Sequence, residues 1–354
     1  MPNFLINTDK KLKKILNEIK KSDQIGIDTE FIREATYYPI LALLQISTKK
    51  SNFCIDILEV GSKDLIKEIL LNKKILKIMH SSKQDLEVLN RYYKCFPVNI
   101  FDTQIAANLV SIGMNIGYSD LVKKFFDIEL KEGSWRTNWL ERPLNSKKLT
   151  YAYNDVAYLI PLHKILMKKL VKNERFEWFK EEQEIELNKN NIIINPKNSW
   201  KKINLSIDLT KDQIKKLKTL SEWRETKAIN DNLPKKWVMP DNEIIKLLLS
   251  QQNKIRDVLD GFKKKLCDSD IKCIISILDK FDKGSYQTKT RSKINKNNEK
   301  IRECHKLLEQ VSLKYNLPKT LIANKREIDM YSRNQKQLRF MSGWRFKIFG
   351  KLLQ

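Results

Sequence analysis

The segment QIGIDTEF sets two carboxylates, Asp28 and Glu30, two residues apart beside the apolar pair Ile25 and Ile27. In a strand such spacing gives each pair its own face, so Ile25 and Ile27 share one side while Asp28 and Glu30 project together from the other. Like charges held side by side cost free energy unless a proton or cation offsets them, which makes this strand end a candidate divalent-ion site. An apolar strand that simply runs out into solvent would carry the same residues. Asp85 follows KILKIMHSSKQ and opens a helix whose apolar face includes Leu86 and Leu89. It is either a further ligand or a first-turn charge complementing the helix dipole. In LTYAYNDVAYLIPLH, Tyr151 and Asp155 are four apart and lie on one helix face, beside Tyr158 and Leu159. A buried tyrosine with a satisfied hydroxyl would look the same.

The elements around these residues alternate in type. QIGIDTEF, SNFCIDIL, KILKIMH and VNIFD read as strands, and LKKILNEIK, KDLIKEILL, QDLEVLNRYY and TQIAANLV as helices, which argues a layered α/β domain. Asp102 ends a strand and precedes a helix, a position suited to N-capping. From about Thr150 the pattern turns helical and continues to about Leu187. The polar stretch NKNNIIINPKNSWKKIN breaks the period and reads as a linker. All that follows reads as helix. Thr210 with Gln213 makes a capping box, and Asp241 after Pro240 is the expected N-cap of EIIKLLLSQ. A second polar stretch, KGSYQTKTRSKINKNN, precedes a last helical segment from near Glu299.

At 354 residues the chain suits two or three domains, because single cores stop growing at roughly 250 to 300 residues. Apolar residues at 41%, charged residues at 31% and a mean hydropathy of -0.50 describe a globular chain rather than a disordered one. No apolar run approaches the ~18 residues of a membrane helix, and the first lysines stand amid apolar residues, so a cytoplasmic protein is expected. The five cysteines are scattered without a CxxC pair, which suggests reduced thiols and neither a disulfide framework nor a zinc site. The net charge of +25 is uneven. Residues 1–195 hold 31 Lys and Arg against 25 Asp and Glu, whereas 196–354 hold 37 against 18. A basic half joined to a near-balanced one fits a polyanion-binding module, although biased codon usage would also supply lysines.

The order DTE, MHSSKQD, FDTQIAA, YAYND within about 130 residues resembles ribonuclease D, in the exonuclease superfamily named for its four acidic residues. The resemblance runs from about residue 20 to 170 and takes in DTEFIREATYYPILALLQI, HSSKQDLEVL, WRTNWLERPL and YAYNDVAYLIPLHKIL. Asn138 stands in WRTNWLERPL where most relatives are expected to have Asp. The segment LSEWRETKAINDNLPKKWVMPDNEIIKLL resembles the helicase-and-ribonuclease-D C-terminal (HRDC) helical domain, carried by Trp223, Arg224, Asn232, Pro234, Val238 and Pro240.

The resemblance implies an α/β ribonuclease H-like exonuclease domain over 1–188 and a linker over 189–205. An all-α HRDC-type domain over 206–284, a linker over 285–298 and a second, degenerate HRDC-like segment over 299–354 would follow. It implies that Asp28, Glu30, Asp85 and Asp155 hold two Mg²⁺ or Mn²⁺ ions, with Tyr151 as the catalytic group that orients water. Thr29, Phe31, Tyr37 and Tyr38 become candidates for substrate binding, with core packing as the alternative for Phe31 and Tyr37. His80 and His163 read as packing residues. The implied activity is 3′-to-5′ trimming of RNA, transfer-RNA precursors above all, with release of nucleoside 5′-monophosphates. Competing readings are a 3′-to-5′ DNA exonuclease and an inactive RNA-binding adaptor.

Overall fold

A computed structural model describes residues 1–130, 137–205, 209–262, 266–280, 298–335 and 337–354. The polar stretch expected as a second linker falls outside them but for Asn298, as do Trp135 and Arg136 of WRTNWLERPL. The chain forms two compact units: Met1–Ile32 with Ile40–Ile192 and Asn295–Gln354, and Arg33–Pro39 with Ile193–Ile294.

The first unit is built on strands β1 (Asn3–Ile6), β2 (Gln24–Ile32), β3 (Ile40–Ser47), β4 (Asn52–Asp56), β5 (Leu76–Met79) and β6 (Ile100–Asp102). They form one mixed sheet in the order β1-β4-β3-β2-β5-β6. The antiparallel pairs are β2 with β3 and β3 with β4; the remaining pairs are parallel. Four strands match the sequence reading, and β1 and β3 are additional. The central β3, ILALLQIS, is buried from Leu41 to Ser47 on both faces, so it lacks the alternation that marks a half-buried strand.

Helices α1 (Asp9–Lys20), α2 (Lys63–Leu71) and α3 (Lys83–Tyr93) pack with one sheet face, around Ile25, Ile27, Ile46 and Phe53. The further helices of this unit are α4 (Thr103–Leu109), α5 (Tyr118–Phe126), α6 (Ser146–Ala157), α7 (Leu159–Lys172), α8 (Phe176–Glu186) and the short α9 (Lys189–Ile192). The helical run expected from about Thr150 to about Leu187 is formed by the three helices α6, α7 and α8. Gly26 lets this layer come close, since a Cβ there would collide with the Ser47 hydroxyl and touch Leu159. Ser47 Oγ donates to Val156 O at 2.8 Å and fixes the end of α6 on the sheet.

The second unit holds a 3₁₀ helix over Pro196–Lys202 and helices α10 (Lys211–Asn230), α11 (Lys235–Val238), α12 (Asp241–Leu249), α13 (Ile255–Asp260) and α14 (Asp268–Asp279). Most of the expected linker is therefore folded: α9 takes its first four residues, the 3₁₀ helix packs on α10, and Ile203 joins the core of the second unit. Thr210 and Gln213 form the expected capping box. Asp241 is not the N-cap of α12. Pro240 occupies that position, and Asp241 instead accepts from the fully buried Arg224 at 2.7 Å.

Helices α15 (Asn298–Tyr315), α16 (Lys319–Ile322), α17 (Lys325–Ser332) and α18 (Gly343–Ile348) belong to the first unit and share a core with α4, α7 and α8. The Trp344 indole stacks on Trp178 at 4.9 Å. Arg345 donates twice to Glu182, at 2.5 and 2.7 Å, and both side chains are buried.

Candidate active site

Asp28 and Glu30 lie on the last half of β2, and Asp155 lies on the last turn of α6, which crosses that sheet face. One carboxylate oxygen from each comes within 4.8 Å of the others. Burial pushes the Asp28 carboxyl well above the usual range, and the neighbouring Asp155 adds to this. Glu30 is raised for the same first reason, and then by Asp28, Asp155 and Asp85. Asp155 is pushed up to about 7, chiefly by burial, with its hydrogen bond to Tyr151 opposing and Asp85 adding to the rise. Its Oδ2 is buried and has no hydrogen-bond partner. Crowded, desolvated carboxylates with an open lone pair are the donor set that a hard, multiply charged cation would satisfy.

Asp85, on α3, lies outside that 4.8 Å group but near enough to interact with Asp28 and Glu30. Its carboxyl is raised by burial and by Asp28, and it accepts a hydrogen bond from the Thr29 hydroxyl. Thr29, expected among the substrate-binding residues, therefore spends its hydroxyl on aiming Asp85. The four carboxylates named from the sequence thus come from one strand and two helices.

Tyr151 lies one turn before Asp155 on α6. Its ring packs 6.1 Å from that of the buried Trp139. Burial raises the phenol further above neutrality, as do Asp155, Glu30 and Asp28, so Tyr151 keeps its proton. The loop bearing Trp139 is pinned by Arg142, which donates to Asp56 at 2.6 and 2.7 Å and to Trp139 O at 2.6 Å. Asn138 retains a local function there, its Oδ1 accepting from Leu140 N at 3.1 Å.

Phe31, next to Glu30, is half-buried against the core of Ile25 and Ile27. Tyr37 and Tyr38 lie in the second unit. The Tyr37 hydroxyl donates to Glu225 at 2.6 Å, and Tyr38 N donates to Asn232 Oδ1 at 3.2 Å. Asp102 is the N-cap that the sequence suggested, accepting from Gln104 N and Ile105 N, and it also holds Ser81 N and Ser82 N. His80 has both ring nitrogens engaged, by Thr103 and by Ile116 O, and His163 meets Gln24, which fits packing roles.

Two residues near the cluster escaped the sequence reading. Tyr118 donates to Asn154 O at 2.9 Å and accepts from Tyr158 N at 3.1 Å, fixing the break between α6 and α7. Its phenol is raised by burial and also by Asp155 and Asp28. A tyrosine opening an amphipathic helix carries no signal of such a task. Gln45 stands opposite Asp28 on β3. Its signal, one amide inside the apolar run ILALLQIS, was readable only once that run was known to be a strand.

Residues 3–171 match a family model described as a 3′–5′ exonuclease. The chain is 35% identical to ribonuclease D of Zymomonas mobilis over 72% of its length and 66% of the relative's. It is 28% identical to ribonuclease D of Bartonella henselae over 98% of its length and 88% of the relative's. Among solved structures it is similar to Escherichia coli RNase D, described as an exoribonuclease involved in structured RNA processing. That match has a TM-score of 0.84 and 25% identity, covering 100% of this chain and 98% of the other.

Proposed function

Because this chain belongs to the ribonuclease D family of 3′-to-5′ exoribonucleases, we propose that it removes nucleotides singly from a free RNA 3′ end at Asp28, Glu30, Asp85 and Asp155. The observation that carries this reading is the convergence of Asp28, Glu30 and Asp155 within 4.8 Å in a desolvated setting. These three residues, with Asp85, would hold two divalent ions, and an all-oxygen donor set favours Mg²⁺ or Mn²⁺ over Zn²⁺. Bound there, the ions would neutralise charge on the scissile phosphate and make the attacking water more acidic.

The protein's own groups set the geometry. Thr29 holds one oxygen of Asp85 by a hydrogen bond, which limits how that carboxylate can turn. Tyr151, backed by Trp139 and bonded to Asp155, presents a neutral phenol that can orient a water for in-line attack without losing its proton. The bond from phosphorus to the preceding 3′ oxygen breaks, leaving a nucleoside 5′-monophosphate and a new 3′-hydroxyl end. Phe31, Tyr37 and Tyr38 are the candidates for stacking on a terminal base.

The substrates we propose are structured RNAs with single-stranded 3′ tails, transfer-RNA precursors in the cytoplasm among them. The excess of 37 Lys and Arg over 18 Asp and Glu in residues 196–354 supports a polyanion grip there. The test is incubation of the full-length protein with 5′-labelled RNA and matched DNA, with and without Mg²⁺ or Mn²⁺. Metal-dependent shortening of RNA with mononucleotide release is expected. RNA binding without release would support the adaptor reading, and preferential cleavage of DNA would support a DNA exonuclease.

A further inference from the structure

Gln45 is a fully buried polar side chain in the middle of β3, and neither its amide oxygen nor its amide nitrogen has a hydrogen-bond partner. Leaving such a group unpaired costs free energy, and each instance in a folded protein calls for a reason. The neighbourhood supplies one. Gln45 pairs in register with Asp28 on β2 and with Cys54 on β4. Directly opposed residues of neighbouring strands point to the same face with Cβ atoms roughly 4.5–5.5 Å apart, within reach of a glutamine side chain. Helix α6 covers this face: Ser47, two residues beyond Gln45, donates to Val156 O, and Ala152 packs with Leu43 and Cys54. On the same helix Asp155 Oδ2 is buried and also lacks a partner. An orphan donor and an orphan acceptor thus occupy one layer, beside Asp28.

We propose that Gln45 is a positioning residue of the carboxylate cluster: its amide, unpaired in the ion-free structure, turns its N–H groups to Asp28 and Asp155 when divalent ions bind and braces them there. The inference rests on the reading of the cluster as an ion site. An amide suits the task because it donates without titrating and brings no positive charge to compete with the ions. A methionine of similar length would fill the space and offer no donor. Gln45 acts through the carboxylates, so its loss should weaken ion binding before it slows the chemical step.

The experiment compares full-length wild type with Gln45→Met. Mn²⁺ affinity is read by titration calorimetry and by the rise in Tm that Mn²⁺ produces, and oligonucleotide cleavage is followed separately. Mn²⁺ affinity should fall about tenfold or more, as it does when outer partners of metal ligands are removed. The metal-free variant should melt no lower than wild type, and kcat at saturating Mn²⁺ should fall less than the affinity. A second measurement needs no variant: in the wild type, the Gln45 side-chain amide protons should shift downfield by nuclear magnetic resonance when Mg²⁺ is added. Unchanged Mn²⁺ affinity in folded Gln45→Met, or unmoved amide signals in the wild type, would overturn the proposal. Absence of Mn²⁺ binding by the wild type would overturn the ion-site reading and this inference together, a result distinct from the other two.

Discussion

Arg345 donates to both carboxylate oxygens of Glu182 across 163 residues of sequence, with both partners buried. Removing one member of such a pair leaves an uncompensated buried charge, which costs about 3–5 kcal/mol. Arg345→Met should therefore lower the urea midpoint of the first unit strongly, although Trp344 still donates to Glu182 at 3.1 Å. Chemical unfolding followed by circular dichroism checks this, and an unchanged midpoint would show that the last helices contribute little to the unit.

Asp28→Asn and Asp155→Asn should each abolish most mononucleotide release while raising the melting temperature of the metal-free protein. Each change removes one of the mutually repelling, desolvated carboxylates. Scanning calorimetry with and without Mn²⁺ separates the two effects, since the variants should also lose most of the stabilisation that Mn²⁺ gives the wild type.

Metal-free stability should depend on pH with a definite sign. Asp155 titrates near 3.8 when unperturbed and is pushed up to about 7 in the fold, so the folded state retains a proton that the unfolded chain gives up. Its contribution is fully present below about pH 4 and is lost as pH rises through about 7. Asp28, Glu30 and Asp85 are raised as well and act in the same direction. Melting temperatures between pH 5 and 8 should fall without divalent ions and become much flatter with them; a flat metal-free curve would contradict the electrostatics of the site.

Tyr151→Phe removes one hydroxyl and keeps the ring that packs on Trp139. Single-turnover cleavage should slow by about tenfold to a hundredfold, the scale of a misplaced reactant, with RNA affinity little changed. Equal single-turnover rates would remove Tyr151 from the chemistry.

On α11, Lys236 and the half-exposed Trp237 stand beside Lys235. If both lysines meet phosphates, Lys235→Gln with Lys236→Gln should reduce the slope of log affinity against log salt by about 0.7 to 0.9 per contact. Filter binding at several salt concentrations measures this. An unchanged slope would point to another surface or to lysines without a binding role.

Spacing paired Asp28 with Glu30 and Tyr151 with Asp155, since such local relations survive folding, but that these pairs and Asp85 form one cluster was implied only by the resemblance of the ordered motifs to ribonuclease D. What stayed hidden is long-range. Strand β3 is apolar on both faces and so carries no period, and without it Gln45 has no assigned neighbour. Tyr37 looked like a companion of the first motif, yet its partner Glu225 lies 188 residues away. The three helices from Ser146 to Glu186 merged into one pattern because the break at Tyr158 is made by Tyr118, a residue from another helix.

The two units are interleaved along the chain, and this bears on the order in which the protein is made. Glu225 is made 188 residues after Tyr37, roughly ten to forty seconds later at ordinary rates of synthesis. Glu182 likewise waits for Arg345, near the last residues of this sequence. Neither unit can be completed from a contiguous stretch, so a chain stalled midway holds the carboxylates of Asp28, Glu30, Asp85 and Asp155 on a first unit without its last helices. Assembly of the nuclease is thereby deferred until Arg345 has been made.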